Sequence, residues 1–175
     1  MPDFFDVIPS RRSVRSYQPA DVSADDLRAV FEAMNHAPSA GDLQAYEVVV
    51  VRDAGRRRSL ARAAHGQVFV AEAPVVLAFF MNPARGRRKY GSRADALYAC
   101  QDAALAAAHA QLAAHALGLG TVWVGAFDDE AVSAAVGAPP ALRPSSLLVI
   151  GHPAEAPGPT PRRAMGDLVR WESFD

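Results

Sequence analysis

Residues 93–117 read RADALYACQDAALAAAHAQLAAHAL and run up to Gly118. The stretch holds neither Pro nor Gly, and Ala, the strongest helix former, fills much of it. At about 1.5 Å per residue such a helix crosses a small domain from end to end. Leu97, Ala104, Ala108, Gln111 and His115 mark one stripe, and Leu105, Leu112 and Ala116 mark another, with Ala over most of the surface between. A helix apolar around its circumference is buried on several sides. Its small side chains admit close neighbours, from its own core or from a second copy of the chain. Asp102 is the odd polar residue. If buried it needs a partner, an Arg or a backbone donor, which suits a structural role better than a catalytic one.

With 175 residues there is material for one domain with a sizeable core, so a single domain over 1–175 is expected, with 153–175 as an extended C-terminal arm. A formal net charge of -1 argues against a general nucleic-acid or membrane-surface binder. No apolar run approaches the ~20 residues of a membrane span. The opening MPDFFDVIPSRRS lacks the basic start and apolar core of a signal peptide. Cys100 is the only cysteine, so no intrachain disulfide forms, which fits the cytoplasm. On an Ala-rich helix, Cys100 reads as a small core residue rather than a nucleophile.

Asp3 is placed to cap a short helix carrying Phe4, Phe5 and Ile8, ended by Pro9. Arg11, Arg12, Ser13 and Arg15 follow within a dense set of donors. In an extended segment Arg11, Ser13 and Arg15 share one side. Guanidinium groups bind phosphate by paired, charge-assisted hydrogen bonds, and hydroxyls add donors, although a solvated basic loop is the alternative. Ser23 and Asp26 resemble a capping box, and Leu27, Val30, Phe31 and Met34 then follow at helical spacing, so a helix over 24–37 is expected, stopped by Pro38. Residues 38–44 form a loop of small and polar residues leading into a strand at 46–51. The arginine-bearing residues 53–64 read as a surface helix, and 67–72 as a helical turn. Residues 74–81 (PVVLAFFM) read as a central strand buried on both faces. Residues 83–92 read as a solvated basic connection carrying Arg85, Arg87, Arg88 and Lys89.

Beyond the long helix, residues 121–125 read as a strand, Asp128 caps a helix ended by Gly137 and Pro139, and 145–150 is a fourth strand. Pro153, Pro157, Pro159 and Pro161 then stiffen the chain. Residues 167–171 (DLVRW) suggest a short strand. A stiff arm ending in a strand is what an exchange between two subunits requires. A tail lying on its own subunit is the alternative.

Metal ligation finds no support. His109 and His115 stand about 240° apart around a helix, and neither C-x-x-C nor H-E-x-x-H occurs. There is no G-x-S-x-G elbow and no P-loop. Gly118-Leu119-Gly120 precedes a strand, whereas a dinucleotide fingerprint follows one. No residue set supplies a nucleophile, an acid–base pair or a metal. Arginine clusters at both ends of the chain, with small-residue loops, suit a phosphorylated cofactor that carries the chemistry itself.

The order of motifs resembles the nitroreductase-like FMN-dependent flavoproteins over nearly the whole chain. The R-R-S-x-R start is Arg11, Arg12, Ser13 and Arg15. The APSAGDLQAYE loop occupies 37–47 and A-P-V-V occupies 73–76. Gln101-Asp102 opens the long helix, G-T-x-W-x-G-x-F spans 120–127, I-G-x-P spans 150–153, and P-R-R is 161–163. The resemblance implies an α+β fold: a mixed, mostly antiparallel sheet flanked by helices, a long central helix, and a C-terminal arm exchanged in a homodimer. It implies FMN at the subunit seam, with Arg11, Ser13, Arg15 and Arg162 on the phosphate and Arg12 and Arg163 nearby. Pro38, Ser39, Ala40, Asp42 and Gln44 would reach the flavin from the partner subunit. Trp123 and Val124 would line the ring, Gly125 and Ala126 would present N–H groups to its edge, and Gln67 would reach its pyrimidine side. Asp42 stands where the family usually has Asn, and Ala45-Tyr46 replaces Pro-Trp. The short connection over 82–92 implies an open site.

The implied activity is hydride transfer from NAD(P)H through FMN to an electron-poor acceptor such as a nitroaromatic or quinone. Within the same fold, oxidase, dehalogenase or flavin-breakdown chemistry are alternatives, as is a non-enzymatic FMN-binding or redox-sensing role.

Overall fold

The computed structural model describes residues 2–174; the two terminal residues of the expected 1–175 domain lie outside the described residues. Four strands form one sheet: β1 (Tyr46–Val51), β2 (Val75–Met81), β3 (Gly120–Val124) and β4 (Arg143–Gly151). Their order is β1-β2-β4-β3, and every neighbouring pair runs antiparallel. The parallel component is an isolated bridge between Ser13 and Thr121 on the outer edge of β3.

Helices cover both faces of the sheet, which explains the unbroken apolar run of β2. Val76, Ala78 and Phe80 face a core shared with α3 (Ala54–Ala63), α4 (Phe69–Glu72) and α7 (Asp129–Val136). Val75, Leu77 and Phe79 face the opposite core, built on α2 (Ala24–Asn35) and α6 (Ala99–Ala116). Three caps stand where the sequence puts them, and Asp53, expected within its helix, is a fourth. Asp3, Ser23, Asp53 and Asp128 each accept a backbone N–H at the start of α1 (Phe4–Ser10), α2, α3 and α7. Pro9 lies inside α1 rather than ending it.

The long helix differs from its expected form. A π-helical turn, Ala94–Tyr98, precedes α6, so the rod is not uniform from residue 93. Its buried stripe is neither of the two marked by Leu and Gln. Ala99, Ala103, Ala106, Ala107, Ala110 and Ala114 face inward together with Asp102, while Leu105 is exposed. Methyl-sized side chains let the helix lie close against the sheet, and larger ones would hold it off. Cys100, expected in the core, is exposed, because its position falls to one side of that stripe.

Two further expectations are corrected. The basic connection contains a helix, α5 (Ala84–Tyr90), ended by Gly91 at φ 55. Residues 165–168 of the arm form a helical turn, α8 (Met165–Leu168), where a strand was expected. The arm carries Met165, Leu168, Trp171 and Phe174 exposed, with Trp171 at 86%.

Candidate functional site

The N-terminal arginine segment lies along the edge of β3. Val14 N–H donates to Thr121 O at 2.9 Å, Gln18 N–H donates to His152 O, and Ala154 N–H donates to Ser16 O. The segment is thereby held between the start of β3 and the chain leaving β4. Two facing glycines make room for it. A Cβ on Gly120 would lie 2.9 Å from Val14 Cγ1, and one on Gly151 would lie 2.8 Å from Tyr17 Cδ1.

This placement gathers charge. The Arg11 guanidinium is half-buried and held below its usual pKa, first by burial and then by Arg162 and Arg12. The charge of Arg162 is therefore felt at the N-terminal cluster within one chain. Arg12 Nη1 donates to Pro9 O and Arg11 O. Arg15 lies 5.9 Å over the Phe69 ring, two positions from Gln67, whose amide donates to Ala64 O. Among the described residues none of Arg11, Arg12, Arg15, Arg162 and Arg163 forms an ion pair with a carboxylate. The Arg15 backbone N–H donates to the Glu155 carboxylate at 2.5 Å, so an acidic oxygen already sits on one of the donors. A set of mutually repelling guanidiniums without carboxylate partners fits a phosphate monoester such as that of FMN. A cleft of about 340 Å³ adjoins the cluster, lined in part by Ser10, Arg12, His115 and Glu155.

The loop over 38–44 is a second centre. Ala40–Asp42 makes one 3-10 turn, and the backbone is left-handed at Gly41 (φ 58), Asp42 (φ 60) and Gln44 (φ 46). Asp and Asn tolerate this region better than most residues, which accounts for Asp42 as a backbone matter. Its side chain is exposed and pairs with no arginine among the described residues. The loop is fixed from beneath. Asp102, 1% exposed, accepts Ala40 N–H on Oδ1 at 2.8 Å and Ala45 N–H on Oδ2 at 3.0 Å. Ser39 Oγ accepts Gln44 N–H, and the Gln44 amide donates to Asn35 O and Oδ1. A cleft of about 720 Å³ borders Pro38, Ser39 and Ala40 and reaches Tyr90, Tyr98 and Gln101.

Trp123 and Val124 end β3, and Gly125 and Ala126 follow with exposed backbone. Gly125 lines a third cleft with Cys100, Asp95 and Arg143.

One chain does not bring the two principal centres together. The arginine cluster stands at the C-terminal end of α6, where His115 Nε2 lies 2.9 Å from Ser10 Oγ. The loop is tied to Asp102 near the other end. Thirteen residues of helix separate these anchors, or about 20 Å. Sequence reasoning marked Asp102 as anomalous, and the isolated acid in an alanine helix was the signal. Asn35, Glu155, Tyr90 and Tyr98 carried none that set them apart from ordinary surface residues.

Comparison with known proteins places this arrangement. The sequence profile described as the Nitroreductase family matches residues 8–81 and 65–152. An NADH dehydrogenase of Thermus thermophilus is 33% identical, with 92% of each chain covered. An FMN reductase (NAD(P)H) of Bacillus subtilis is 31% identical over 95% of this chain and 72% of its own. The solved structure of the hypothetical oxidoreductase YcnD from Bacillus subtilis superposes with a TM-score of 0.90 at 30% identity, covering 99% of this chain and 75% of that one.

Proposed function

The chain belongs to the Nitroreductase family, and from that premise we propose an NAD(P)H-dependent FMN oxidoreductase that acts as a homodimer on electron-poor acceptors such as nitroaromatics or quinones. The observation carrying this reading is the separation of the two centres along α6. A phosphate grip at one end and a small-residue loop at the other make one site only when a second copy, running the opposite way, supplies the missing half. The arm supports the same reading, because its exposed Trp171, Met165 and Phe174 suit burial against a partner.

FMN, when bound, would supply the redox chemistry that carries a hydride from NAD(P)H to the acceptor. The residues of this chain bind and orient. Arg11, Ser13, Arg15 and Arg162 hold the phosphate, with Arg12 and Arg163 adding positive field. Pro38, Ser39, Ala40, Asp42 and Gln44 close the site from the other subunit. Gly125 and Ala126 offer N–H groups where negative charge develops, beside Trp123 and Val124, and Gln67 donates near the ring. No side chain acts as a base, and solvent supplies protons. Among the described residues no helix is long and apolar enough to cross a membrane, and a cytoplasmic setting is part of this proposal.

The test is anaerobic addition of NADPH or NADH to the purified yellow protein, with the oligomer measured by sedimentation. Bleaching of the flavin absorbance in a dimer is expected. A colourless protein that refuses added FMN, or a monomer that binds it tightly, would overturn the proposal.

A further inference from the structure

Resting on the flavin reading above, we infer that Lys89 and Arg93, on α5 and the chain just before the π-helical turn, select NADPH over NADH by gripping the 2′-phosphate of the donor. The cleft beside Ser39 and Ala40 is bordered by Tyr90 and Tyr98, which meet edge to face at 4.9 Å. Each ring carries a cation. Lys89 Nζ lies 5.2 Å from the Tyr90 centroid, and Arg93 Cζ lies 5.2 Å from that of Tyr98. Arg93 Nε also donates to the Tyr98 hydroxyl at 2.9 Å, which fixes the guanidinium at the rim. A Cβ on Gly41 would collide with the Lys89 ammonium and the Tyr90 hydroxyl, so Lys89 stands against the loop that reaches the flavin.

Two of the neighbouring cations are already engaged, and Arg88, without a carboxylate partner among the described residues, stands over neither ring of the cleft. Arg87 pairs with both oxygens of Asp95, and Arg85 Nε donates to Leu43 O at 2.7 Å. Lys89 and Arg93 have no carboxylate partner among the described residues. On this inference a dinucleotide with its nicotinamide on the flavin would extend its ribose-phosphate end outward along this aromatic border. Both donors carry the pyrophosphate, so contacts to it do not discriminate. They differ by the 2′-phosphate, about two negative charges at neutral pH. Two unpaired cations held in place on rings complement that difference, one as a planar fork and one as a point charge.

The flavin-loaded protein is titrated calorimetrically with 2′,5′-ADP and with 5′-ADP, and kcat/KM is measured for NADPH and NADH. The first nucleotide is expected to bind at least about tenfold tighter, or 1.4 kcal/mol. The gap narrows as salt rises. Lys89→Gln with Arg93→Gln keeps the apolar stems and the flavin absorbance but removes the gap, and lowers kcat/KM for NADPH about tenfold more than for NADH. Equal affinity for the two nucleotides in flavin-loaded protein, or a preference that these substitutions leave unmoved, overturns the inference and leaves the flavin reading standing. A chain that takes up no flavin fails that reading and this one with it.

Discussion

Asp102 Oδ1 accepts the backbone N–H of Ala40 at 2.8 Å, tying the first turn of the buried helix α6 to a loop 62 positions earlier in the chain. A buried acid in an alanine stripe thus acts as a clamp. Removing it leaves two buried N–H groups without acceptors. Asp102→Ala is expected to cost about 3 kcal/mol of stability, given roughly 1.5–3 kcal/mol per hydrogen bond to a charged group. Asp102→Asn keeps one acceptor and should fall between the two. Denaturant midpoints of the three proteins check the order.

The arginine cluster predicts a binding effect rather than a folding one. Arg15 is exposed and its guanidinium makes no ion pair among the described residues, so Arg15→Ala should fold normally. It should loosen FMN at least about tenfold, the equivalent of 1.4 kcal/mol. Fluorescence titration of the apoprotein with FMN measures this, and unchanged affinity would remove Arg15 from the phosphate grip.

His115 gives the cluster a pH dependence. Burial, then Arg11 and then Arg12 hold its imidazole below the ordinary value of 6.5. Between its folded pKa and 6.5 the unfolded chain binds more protons than the native one, so stability rises with pH across that window. The contribution is complete above 6.5 and is lost as the pH falls through the window. The difference in denaturant midpoint between wild type and His115→Gln should therefore change below pH 6.5 and stay constant above it.

The close approach of the N-terminal segment to the sheet depends on missing side chains. A Cβ at Gly151 would lie 2.7 Å from Pro74 Cδ and 2.8 Å from Tyr17 Cδ1. Gly151→Ala should destabilise by about 1–3 kcal/mol, as overpacking does. It should also loosen FMN by shifting the segment that carries Arg15, and a stability loss with unaltered FMN affinity would show that the segment moves independently of the grip.

Much of this was legible before any coordinates. β2 and α2 announced themselves because their apolar patterns match the burial of one element on two faces and of another on one. The caps at Asp3, Ser23 and Asp128 follow from short polar side chains just before each helix. α5 was hidden because four cations in seven residues mask its packing signal, and Gly86, its buried residue, contributes no side chain. A strand is expected at 167–171 where the chain makes a helical turn at 165–168, because so short a piece has no periodicity to consult. Within the site, the residue types of the phosphate grip were readable, since guanidinium chemistry is written in the sequence. That a buried Asp102 needs an Arg or a backbone donor was readable too, but which N–H groups it takes was not, because every residue but proline carries one.

The distance between the Ser39–Ala40 loop and the arginine cluster has a genetic consequence. On the proposed assembly each site draws one half from each chain. A protein defective in the loop half, such as Asp102→Ala, and one defective in the grip, such as Arg15→Ala, are each impaired at both sites. When the two are coexpressed, a mixed dimer collects both lesions in one site and leaves the other intact. Random pairing restores about a quarter of the wild-type sites. Two defective alleles of this gene, one in each half, would therefore complement one another, whereas two lesions in the same half would not.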